Sequence, residues 1–107
     1  MLFLIYRKDK PNHLQVRLEN HKKHLEYLAP YGNRIVIGGP TLGLNSATRD
    51  EVMTGSFLII DVDSWEAVDD FVKNDPFTRA GLFSTTIIER WKHGKHTESS
   101  AAMPSNS

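Results

Sequence analysis

Two histidines stand three residues apart in the stretch RLENHKKHLEYL, Arg17 to Leu28. Imidazole titrates near neutrality, so a histidine held by a carboxylate can take and return a proton. Two histidines on one helix face can also ligate a metal, but a stable site needs further ligands and no spacing marks them. His93 and His96 repeat the interval in a polar tail, which suits a solvated segment. A carboxylate stands in NDPF, where Asp75 precedes Pro76 and either caps a turn or is held rigidly for chemistry. There is no cysteine, which removes thiol nucleophiles, disulfides and thiolate-bound metals. The run GGPTLG from Gly38 lacks a GKS or GKT ending, so it is not a phosphate loop.

These residues must be positioned by a small set of elements. Leu2 to Tyr6 is a continuous apolar run and reads as a strand. Asn12 can cap a following helix, in which Leu14, Leu18, His21, Leu25 and Leu28 recur at alternating four- and three-residue steps. This stripe places His21 at its centre, as a buried hydrogen-bonded histidine. It puts His24 on the edge beside Arg17 and Leu28, where a cleft can open. Tyr31-Gly32-Asn33 ends the helix. Arg34 to Ile37 reads as a second strand, and the stretch from Thr41 to Gly55 has no clean period and reads as a loop.

Ser56 to Val62 is a third strand, and Asp63 with Glu66 resembles a capping box for a second helix. Trp65, Val68 and Val72 form that helix's inner side, with Phe71 suited to core packing. Asn74-Asp75-Pro76 stops it. Leu82 to Trp91 is a fourth strand. The order strand, helix, strand, strand, helix, strand predicts an α+β, ferredoxin-like βαββαβ domain with an antiparallel sheet. Both helices cover one face, and the other face, expected to carry Phe3, Ile5, Leu58 and Ile60, calls for a homodimer.

The 107 residues suit one domain over 1–92, followed by a polar tail over 93–107 expected to be disordered. Thirteen basic residues balance thirteen acidic ones, which argues against nucleic acid or an anionic membrane and favours a small-molecule ligand. The opening MLFLIY is too short for a signal core or a membrane span, so a cytoplasmic protein is expected.

Taken together, the MLF-type first strand, Arg17 with His24-Leu25, Gly39-Pro40 after the second strand and DPFTRAGLF from Asp75 to Phe83 resemble the YCII-related (YciI-like) family. The resemblance spans roughly residues 1 to 92. It implies a dimeric α+β barrel of ferredoxin-like subunits and a histidine–aspartate pair, which falls on His24 and Asp75. Arg17, His21, Gly39, Pro40 and Ser56 would then lie around the substrate. His21 stands where the family commonly has arginine, so an anion-holding role there becomes pH-dependent. The family's chemistry implies a lyase or isomerase that works without cofactor on a small aromatic or quinoid molecule, such as a chlorinated hydroxyhydroquinone. The rival reading is a noncatalytic module that binds a small metabolite or regulates another enzyme.

Overall fold

The computed structural model describes residues 1–94. Strand β1 (Leu2–Asp9) leads to helix α1 (Leu14–Leu28) and a 3-10 segment (Ala29–Arg34). Strands β2 (Ile35–Leu44) and β3 (Glu51–Asp61) follow, then helices α2 (Trp65–Asn74) and α3 (Pro76–Arg79), and finally β4 (Phe83–Arg90). The strands form one sheet in the order β2-β3-β1-β4, with every neighbouring pair antiparallel. This is the expected α+β, ferredoxin-like arrangement.

Alternation along the central strands decides what is inside. Phe3, Ile5 and Arg7 of β1 face the helices and pair in register with Ile60, Leu58 and Ser56 of β3. With Val62, Val68 and Phe71 the apolar members form the core, closed by Tyr27, Leu28 and Tyr31. The expected free face is therefore corrected: Phe3, Ile5, Leu58 and Ile60 are the helix-covered set. The uncovered face carries the alternate residues Leu4, Tyr6, Phe57 and Ile59, because successive strand side chains point to opposite faces.

Helix α1 is also turned from its expected setting. Leu14, Leu18 and Leu25 are 39%, 50% and 50% exposed, and His21 is exposed with them. The side seated on the body carries Arg17, His24, Tyr27 and Leu28. Three polar contacts fix that rotation: Arg17 to Asp9, His24 to Asp75, and the Tyr27 hydroxyl donating to the Phe71 carbonyl at 2.9 Å. A buried guanidinium without its carboxylate would cost more than exposing three leucines.

The segment expected as a loop is a hairpin. Thr41, Leu42 and Leu44 pair with Gly55, Met53 and Glu51, with a register shift between Thr41 and Leu42 that hides the alternation. The Asn45 side chain accepts from the amides of Ala47 and Thr48 and closes the turn. Ser64, not Asp63, caps α2 by accepting from Ala67 N–H at 3.0 Å. Residue His13 occupies the N-cap of α1 without a side-chain cap, while Asn12 takes φ 60 ahead of it. Trp65 is 47% exposed and touches Phe3 edge-on, so Val68 and Phe71, with Val72 packed beside them, form the inner side of α2. Among the described residues no helix is long and apolar enough to cross a membrane. His96 and most of the expected tail lie outside the described residues.

Candidate active site

The site grows from a charge placed where β1 should be apolar. Arg7 continues the inward set of Phe3 and Ile5, and it is 1% exposed. Its Nη1 donates to Asp75 Oδ2 at 3.0 Å. Asp75 is completely buried at the junction of α2 and α3. It precedes Pro76 and is therefore held extended, at φ −63 and ψ 130. Its Oδ1 accepts from the Phe77 amide at 2.9 Å, which caps α3, and meets His24 Nδ1 at 2.9 Å. The aspartate thus caps the turn and also hydrogen-bonds a histidine.

The electrostatics assign the protons. Burial alone would push the Asp75 carboxyl up; the His24 hydrogen bond, the Arg7 charge and the Phe77 amide overcome it and hold the group below the usual carboxylate range. An ionised carboxylate only accepts, so His24 Nδ1 carries the hydrogen and Nε2 is the ring nitrogen left to exchange a proton. The His24 ring stacks on Phe77 with centroids 4.1 Å apart and planes 15° apart. Burial lowers the Arg7 guanidinium from its ordinary value, opposed by Asp75. It stays a cation at neutral pH, with its carbon 4.5 Å from the Phe83 ring centroid.

A second buried pair stands beside the first. Arg17 Nε and Nη2 reach Asp9 Oδ2 and Oδ1 at 2.8 and 2.9 Å, a two-pronged geometry that fixes the guanidinium plane. The same guanidinium lies 4.8 Å from the Phe77 ring centroid.

Between α1 and the β2–β3 half of the sheet lies a cavity of about 170 Å³. Arg17, His21, His24, Gly39, Pro40 and Ser56 all line it, together with Arg7 and Phe77. Asp75 does not line the cavity and is joined to it through His24 and Arg7. Two buried polar atoms on these walls have no hydrogen-bond partner, Ser56 Oγ and Arg7 Nε, and they belong to residues paired across β1 and β3. Such atoms are stabilised by a ligand oxygen that accepts from them. Leu25, Leu28, Ile35, Met53 and Leu58 supply the apolar part of the wall. Among the described residues no group of three histidine, aspartate or glutamate side chains stands where it could hold a metal ion.

Of the residues singled out in the sequence, His21 moves from the centre of the core to the cavity's exposed rim. Arg7, Asp9 and Phe77 were not anticipated. Arg7 had a legible signal, since a cation in phase with the inward residues of a strand requires a buried anion. Asp9 and Phe77 had none, because their partners are set by the docking of α1.

The comparisons with known proteins agree with this architecture. The model of the YCII-related domain family matches residues 1–92. The protein YciI of Escherichia coli is 30% identical over 95 residues, which cover 86% of this chain and 97% of the relative. An uncharacterised protein of Haemophilus influenzae matches with the same identity and coverage. Among solved structures, 5-chloro-2-hydroxyhydroquinone dehydrochlorinase from Burkholderia phenoliruptrix, in complex with 2,5-dihydroxybenzoquinone, superposes with a TM-score of 0.82. It is 61% identical, with 92% of this chain and 100% of that one covered. On the family match and these relatives, the chain belongs to the YCII-related domain family.

Proposed function

We propose that this protein is a cofactor-independent lyase that eliminates hydrogen chloride from a chlorinated hydroxyhydroquinone or a close relative. His24 is the proposed acid–base group, and Asp75 fixes its tautomer. The observation that carries the reading is the His24 Nδ1 to Asp75 Oδ1 hydrogen bond of 2.9 Å at the wall of a cavity. The 61% identity to a dehydrochlorinase of that substrate supports the substrate class.

The cavity's size agrees with a single ring, being close to the ~150 Å³ of an apolar cavity that holds benzene and far below the ~300–1,000 Å³ of drug-sized sites. Hydrogen chloride can leave such a ring without an outside oxidant. His24 Nε2 takes a hydroxyl proton, and the ring carbon bearing chlorine gains one. Chloride then departs with the carbon–chlorine electron pair as a second hydroxyl proton is lost. The net loss is one proton and one chloride, and the ring itself reaches the quinone level. One imidazole that both takes and returns a proton suits this sequence. Ser56 Oγ and Arg17 would meet the oxygen that gains negative charge, with Gly39 and Pro40 lining the sheet side of the cavity beside Ser56. The same reading places the enzyme in the cytoplasm as a homodimer joined through the uncovered sheet face.

The test is chloride release from chlorinated hydroxyhydroquinones by the purified protein. Release should fall by about 10² to 10⁴-fold in His24→Ala. Binding of the ring with no chloride released by wild type would instead support the noncatalytic module.

A further inference from the structure

We infer that Arg7 is a positioning residue of the proton-transfer site, which keeps the His24–Asp75 pair as neutral imidazole and carboxylate by competing with the imidazolium for one buried charge. The inference rests on the reading of His24 as the proton-exchanging group. Its basis is geometric. Asp75 gives one carboxylate oxygen to Arg7 at 3.0 Å and the other to His24 at 2.9 Å, with the Phe77 amide sharing the second. Arg7 and Asp75 are 1% and 0% exposed, so solvent does little to screen them.

A histidine beside a lone buried carboxylate is stabilised as the cation, and a base that stays protonated cannot accept a proton. Here the carboxylate is already neutralised. A proton added to His24 creates a second cation around one anion, which returns the imidazole to its neutral, accepting form. The other groups facing the pair do not supply this balance. From α1, Arg17 is taken up by Asp9 of β1, and His21 lies on the exposed rim. Burial and the neighbouring Tyr31 push the Tyr27 phenol up, so it stays neutral. The cavity-lining residues of β2 and β3, Gly38 to Pro40, Met53 and Ser56, carry no ionisable group.

The experiment follows the His24 ring signals by NMR across pH in the substrate-free protein, assigned by their loss in His24→Gln. Arg7→Gln keeps an amide donor near Asp75 but removes the charge, and Arg7→Lys keeps the charge. The His24 titration midpoint should rise in Arg7→Gln and stay close to that of wild type in Arg7→Lys. The acid limb of the activity profile should move with it. An unchanged or lowered midpoint in Arg7→Gln overturns the assignment. So does a clear rise in Arg7→Lys, which keeps the test decisive if the uncharged variant does not fold. Because the ring titration needs no turnover, its outcome is independent of whether wild type releases chloride.

Discussion

His21 and His24 differ by one helical turn and by almost everything else. His21 is exposed on the cavity rim, so His21→Ala should change stability by no more than the ~0.5 kcal/mol of ordinary surface substitutions. His24→Ala, by contrast, should stay folded and lose turnover; thermal melts paired with chloride assays on both variants check this. Asp75 should dominate the acid response of the fold. Its folded carboxyl titrates below the ordinary value of about 3.9, so its stabilising contribution is fully present above that value and is lost as pH falls through the folded one. Asp75→Asn should therefore flatten the fall in melting temperature below about pH 4. It should also cost about 3–5 kcal/mol at neutral pH, because Arg7 is left buried without its anion. A melting curve in acid identical to wild type would remove Asp75 from that role.

Among the elements, the strands and the order of the fold were legible in the sequence because β-branched runs and the Asp-Pro stop act locally. The rotation of α1 was not. Its leucine stripe obeys helical periodicity, yet the contacts that seat the helix are made by Arg17, His24 and Tyr27 to residues 8 to 51 positions away. Periodicity detects apolar faces and is blind to a face buried through ion pairs. The β2–β3 hairpin was hidden for a different reason, since glycines and a register shift erase the period of two. One of those glycines is indispensable to the site. A Cβ at Gly55 would stand 2.3 Å from the Arg7 carbonyl oxygen and 2.9 Å from Thr41 Oγ1, and backbone cannot yield as a side-chain tip can. Gly55→Ala should destabilise the protein by about 1–3 kcal/mol and displace Arg7 and Ser56, its neighbours in the β1–β3 register. Denaturant unfolding measures the first effect, and a weaker grip on the ring measures the second.

At the scale of the whole molecule, the sheet separates two tasks. The helix-covered side holds the core and the cavity, while the other side presents two rows of cross-strand neighbours. One runs Ile37, Ile59, Leu4 and the other Phe57, Tyr6, Ile87. Ile37 is 61% and Ile87 42% exposed at the ends of these rows, while Ile59 beside Ile37 is 2% exposed; the exposed ends are apolar surface of the kind that marks association sites. A two-fold partner would lay the same rows against themselves, as closed symmetric dimers do. Ile37→Glu with Ile87→Glu should then sediment as a single chain at concentrations where wild type forms the proposed dimer, and its melting temperature should lose the concentration dependence that a dimer shows. Because the substituted side chains lie on the face opposite His24, the variant should still release chloride at a rate per chain near that of wild type. Loss of activity together with loss of the dimer would mean that the cavity depends on the partner, and wild type sedimenting as one chain at micromolar concentration would leave the apolar rows without the occupant assigned to them.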